Sequence, residues 1–214
     1  MRAYLDQQEL TLERASQREA FIAAIDEAQR VGRMVIEAQR DGAVVPTDDL
    51  AELPDGPGEA SELRFVTAEP TTLVRVTLGE VADAMGELGP AQRALGESLQ
   101  AGETDGMGEK LVEIVDTWQA VQQAIDYSGD LLGPELAQTP VKVMGTETTV
   151  SAEAPALSAA LDEVRRAMTE QDWAGLADVL LEDLPGLSER WSVLVGGLSD
   201  RLSGSGGGSG SSPS

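Results

Sequence analysis

Residues 70–88 read PTTLVRVTLGEVADAMGEL, and their spacing decides the fold class. Val74, Leu78, Val81, Met85 and Leu88 recur at steps of four, three, four and three. Those steps share one face of an α-helix and alternate between the two faces of a strand. A stripe of this kind must be covered. The same spacing returns in Leu111, Ile114, Val115, Trp118, Val121 and Ile125, ahead of Gly133-Pro134. It returns again in Leu157, Leu161, Val164 and Met168, then in Trp173, Leu176, Val179 and Leu180 behind Asp172, a good N-cap. Beyond Pro185, Leu187, Trp191, Leu194, Leu198 and Leu202 form a last stripe. Four to five such helices must pack on one another, so residues 71–202 are expected to form an all-α bundle. Its core is expected to contain Trp118, Trp173, Trp191, Leu78, Leu161 and Leu194. Gly89-Pro90 is expected to break or kink the first helix, although Leu95 and Leu99 continue a related stripe. Glu135 to Pro155 reads as a long connection in which VKVMG forms a short strand.

Residues 1–70 read differently. Leu10 and Leu12 alternate with polar residues after Asp6-Gln7-Gln8, the pattern of a hairpin from Arg2 to Leu12. Ser16 followed by Glu19 has the spacing of a capping box. The next stretch puts Phe21, Ile25 and Ala28 on one helical face, flanked by Ile22 and Ala24, and Gly32 stands where a C-terminal glycine belongs. MVIEAQ and AVVP flank Asp41-Gly42, a preferred tight-turn dipeptide. LRFVTAE then reads as a further strand, after an acidic Pro- and Gly-containing loop from Pro46 to Glu62. The order hairpin, helix, hairpin, strand resembles a β-grasp arrangement, in which one helix packs across a small mixed sheet. The expected fold is therefore α+β: a small hairpin–helix–hairpin domain over 1–70, an acidic helical bundle over 71–202, and a disordered Gly/Ser tail over 203–214.

Composition narrows the function. None of the 214 residues is His or Cys. That excludes a Ser-His-Asp triad, a Cys nucleophile and a zinc site of His and Cys. The net charge is −23. Residues 1–70 carry 7 basic and 15 acidic side chains, 71–145 carry 4 and 12, and 146–214 carry 4 and 11. With no basic cluster, neither nucleic acid nor an anionic membrane is an expected partner. No run approaches the roughly 18 apolar residues of a membrane span, and the N-terminal residues do not resemble a signal peptide, so a cytoplasmic location is expected.

Candidate chemistry is confined to carboxylates and two lysines. Asp178 and Glu182 are four apart on a helix, so both project from one side and form a weak candidate pair for a hard cation such as magnesium or calcium. A metal-dependent carboxylate enzyme built there would need at least one further acidic residue. Lys110 and Lys142 read as solvent-facing. No cofactor is implied. The expected function is a non-catalytic interaction with a protein partner through apolar helix faces, as an adaptor, chaperone or assembly factor. Self-assembly into a homo-oligomer is the further alternative. Converging carboxylates would favour the enzyme, and an open apolar groove the interaction module.

Overall fold

A computed structural model of the chain describes residues 1–14, 16–46, 49 and 62–205. The acidic loop expected after Pro46 lies almost wholly outside the described residues, as do 206–214 of the tail. The chain is mixed α+β and divides into two compact units, Met1–Leu73 and Val74–Ser214.

In the first unit, β1 (Arg2–Leu5) and β2 (Gln8–Glu9) form a hairpin that turns at Asp6, whose φ is 53°. Helix α1 (Gln17–Arg30) follows, then β3 (Met34–Arg40), β4 (Ala43–Val44) and β5 (Glu62–Ala68). The sheet order is β2-β1-β5-β3-β4, with β1 parallel to β5 and the other pairs antiparallel. Ser16 caps α1 by accepting the Glu19 N–H at 3.3 Å. Glu19 reaches past the cap and accepts from the Glu13 and Arg14 amides at 2.7 and 2.9 Å. The helix ends with Gly32 at φ 69°, donating to the Gln29 carbonyl, while Arg33 N–H donates to the Ala28 carbonyl. Those paired bonds are a Schellman motif, which needs a left-handed residue at that position. Asp41 and Gly42 both take positive φ, as the tight β3–β4 turn demands.

The buried face of α1 differs from the expected one. Gln17, Ala20, Ala24 and Ala28 are buried, whereas Phe21 and Ile25 are partly exposed and Ile22 is half exposed. Three alanines let the helix lie close to Ala3, Leu5, Ala38, Leu63 and Phe65 of the sheet. Larger side chains there would hold it away. On the opposite face of the sheet, Arg64 stacks 5.4 Å over the Tyr4 ring.

The second unit is helical around one apolar cluster. It comprises α2 (Pro70–Gln100), α3 (Met107–Leu132), α4 (Val150–Glu170), α5 (Trp173–Asp178) and α6 (Leu184–Ser205). The first turn of α2 falls in the first unit. Trp118, Trp191, Leu78 and Leu194 are buried in the cluster, and Leu161 and Trp173 pack against it from its margin.

Four expectations at the helix ends are corrected. Helix α2 runs through Pro90, and its buried stripe continues in register as Leu88, Gln92, Leu95 and Leu99. Gly89 lacks the Cβ that would press on the proline ring, so the pre-proline residue tolerates helical backbone. The connection after α3 is shorter than Glu135–Pro155. A 3₁₀ turn (Pro134–Gln138) and a hairpin of β6 (Val141–Val143) and β7 (Thr146–Thr148) lead into α4 at Val150, which already contains Pro155. Pro185 does not separate two helices either. A π-helical turn (Val179–Asp183) joins α5 to α6, and Leu184 N–H donates five residues back to the Val179 carbonyl. The wider turn gives the ring of Pro185 room that an α-turn would deny it. Finally, α6 continues through Ser205, so the first residues assigned to the tail are helical.

Helices α2 and α6 run antiparallel, with side chains of one bonded to the backbone of the other. Ser199 and Ser192 of α6 donate their hydroxyls to the Arg75 and Ala82 carbonyls of α2, each at 2.9 Å. A Cβ on Gly196 would sit 3.6 Å from Ala82, and one on Gly89 would sit 3.8 Å from the Pro185 carbonyl. At the far end, a Cβ on Gly96 would sit 2.6 Å from Leu181. Small residues placed roughly a heptad apart thus set the separation of the pair.

Candidate functional site

Three polar side chains meet in the apolar interior of the second unit. Gln92 of α2 and Ser188 of α6 are fully buried, and Trp118 of α3 is nearly so. With the Gln92 amide oxygen toward the indole, Trp118 Nε1 donates to it at 3.2 Å, while the amide nitrogen donates to Ser188 Oγ at 2.9 Å and to the Leu184 carbonyl at 3.2 Å. The opposite orientation accepts from Ser188 Oγ at 2.9 Å but sets the amide nitrogen against the indole N–H, donor facing donor. The first orientation is the physical one. Ser188 also donates to the Leu184 carbonyl at 3.0 Å, just before the proline. Trp191 packs edge-on to Trp118, centroids 6.2 Å apart, and its Nε1 is buried without a hydrogen-bond partner. This cluster fixes three helices in register. It carries no titratable or nucleophilic group beyond the buried Ser188 hydroxyl, which is already hydrogen-bonded.

Asp178 and Glu182 are both exposed. Among the described residues no three acidic side chains converge in a way that could hold a metal ion. Glu182 instead lines a groove of about 610 Å³ together with Asp183, Glu163, Arg190 and the small residues Ala156, Ala159, Ala160 and Gly186. At that groove Arg190 is already engaged by Glu153, which is buried and also accepts from Thr148 Oγ1 at 2.8 Å. The Arg190 guanidinium holds the Glu153 carboxyl below the usual carboxylate range, against a smaller opposing effect of burial. Lys142 is exposed on β6, and Lys110 is exposed at the start of α3.

The more apolar trough lies between α2 and α3. Its volume is about 360 Å³ and its lining includes Ala84, Ala91 and Ala94 of α2 with Ile114 of α3. Leu88 lies at the bottom, and Glu87, Glu113 and Lys110 stand on the rim. The three alanines are exposed, at spacings of seven and three that keep them on one side of the helix. Ala84 and Ala91 fall outside the stripe from which α2 was recognised, so the search for buried apolar periodicity passed over them. The signal that could have found them is a second, weaker stripe of small residues beside the first.

No protein-family model, no curated protein and no solved structure matches the chain. No helix among the described residues is long and apolar enough to cross a membrane.

Proposed function

We propose that the protein is a cytoplasmic, non-catalytic interaction module (an adaptor, chaperone or assembly factor) whose helical part takes a partner's amphipathic helix in the trough between α2 and α3. Residues 1–70 would then act as a β-grasp-like module and 71–202 as the helix-binding one. The observation that carries this reading is the exposed alanine floor above Leu88 and Ile114. Small residues let a third helix approach to ordinary packing distance, about 8–10 Å between axes, and insert larger apolar side chains. The net charge of −23, with Glu87 and Glu113 outnumbering Lys110 on the rim, favours a helix flanked by Lys and Arg. A second copy would bring the same negative charge to the trough, which argues for a hetero-partner over self-assembly.

The test is purification of the tagged full chain beside an Ala91→Trp variant, which fills the trough from an exposed position. A stoichiometric partner retained by the parent and lost by the variant, at an unchanged thermal midpoint, supports the reading. A partner retained equally by both overturns it.

A further inference from the structure

The first unit carries a second opening, independent of the α2–α3 trough. Helix α1 presents two faces. Its alanine stripe lies on the sheet, while Phe21, Ile25 and Gln29 border a groove of about 320 Å³ whose other wall is Met34, Val35, Ile36 and Glu37 of β3. Ile36 is 48% exposed and Ile22, one turn before Ile25, is 52% exposed. These are large aliphatic side chains, unlike the small residues of the helical troughs.

That wall is also a strand edge. β3 pairs with β5 along its whole length, from Met34 opposite Ala68 to Arg40 opposite Leu63. On its other side β4 pairs only with Gln39 and Arg40, and Val45 N–H donates to the Ala38 carbonyl. Among the described residues, Met34–Glu37 has no strand partner on that side. A strand bonded on one side directs alternate N–H and C=O groups to the other. The pairing shifts between Val35 and Glu37, which leaves Ile36 as the extra residue of a bulge and confines the open edge to a few residues.

We propose that this edge and groove form a binding site for a short extended peptide of a partner protein. The peptide adds as a strand to Met34–Glu37 and seats alternate aliphatic side chains between α1 and β3. Backbone pairing at the edge supplies register, and Phe21, Ile25 and Ile36 select apolar residues at every second position. The 15 acidic against 7 basic side chains of residues 1–70 select Lys or Arg on the peptide's flanks.

The experiment uses the full chain and a fluorescein-labelled peptide, KKVTVIVTKK, beside a twin of identical sequence whose central amides are all N-methylated. The twin keeps charge and side chains but cannot pair as a strand. Anisotropy is expected to show the twin binding at least about tenfold more weakly. Hydrogen exchange is expected to slow at Met34–Glu37 when the unmodified peptide binds. Ile25→Asn is expected to weaken binding several-fold at an unchanged thermal midpoint. Equal binding of the twin, protection located elsewhere, or no binding up to about 1 mM peptide would overturn the proposal. The twin keeps the test decisive even where a variant fails to fold.

Discussion

Trp118 and Trp191 pack edge to face, yet only the first places its indole N–H on a partner, Gln92. Trp118→Phe and Trp191→Phe both remove one ring. Trp118→Phe also removes one of the two donors that face the Gln92 oxygen, leaving Ser188 Oγ at 3.1 Å, whereas Trp191→Phe removes a donor that bonds to nothing. Urea unfolding should therefore find the Trp118 variant less stable than the Trp191 variant by about 1–2 kcal/mol. Trp191→Ala, which empties the site, should cost about 3–5 kcal/mol. Glu153 is a second residue with a definite signature, because its side chain is only 10% exposed beside Arg190. Its carboxyl titrates below its ordinary value of 4.5 in the fold, so the stability it contributes is complete above that value. The contribution is lost as pH falls through the depressed folded value. The stability gap between the parent and Glu153→Gln should thus be about 1–2 kcal/mol at neutral pH, reduced by solvent screening of the 38% exposed Arg190. It should close as acidification carries the Glu153 carboxyl through its depressed folded-state value.

Elements in this chain are set as much by what is missing from side chains as by what is present. Gly197 faces Val141 of β6, where a Cβ would overlap the valine, so Gly197→Ala should cost about 1–3 kcal/mol. Gly86 of α2 has nothing within 4 Å of such a Cβ, and Gly86→Ala should stabilise by about 0.5–1 kcal/mol through helix propensity alone. Thermal melts of the two variants separate close packing from propensity. The same contrast explains how far the elements were legible in the sequence. Heptad-like stripes announced α2, α3 and α6, and Asp41-Gly42 announced the β3–β4 turn, because these signals are local. The prolines misled, since Pro90 and Pro185 are accommodated by Gly89 and by a π-turn. Neither device has a periodic signature. The alanine face of α1 was legible only in part, since Ala28 and the flanking Ala24 were read and Ala20 was not. The burial of that face follows from the need to approach the sheet closely, and hydrophobicity ranks Phe21 and Ile25 above it. Of the α2–α3 trough, the sequence singled out Leu88 and Ile114 as stripe residues and Lys110 as solvent-facing, while the candidate carboxylate Glu182 lines a different groove. The alanine floor at 84, 91 and 94 becomes visible only when α2 and α3 are side by side.

At the scale of the whole molecule, uniform acidity and open apolar troughs act together. Under the proposed function, a negative field would accelerate the approach of a basic helix, and apolar contact in the trough would slow its departure. Raising salt should therefore reduce the association rate of the partner more than its dissociation rate, which stopped-flow measurement on the purified pair would resolve. The most direct test of the central claim is photo-crosslinking in the cell from a benzoylphenylalanine placed at Ala91, beside one at Arg165 on the exposed face of α4. The account predicts one abundant crosslinked protein from Ala91 and not from Arg165, joined through a basic amphipathic helix. The same crosslinks from both positions, or a crosslink at Ala91 only to a second copy of this chain, would contradict it.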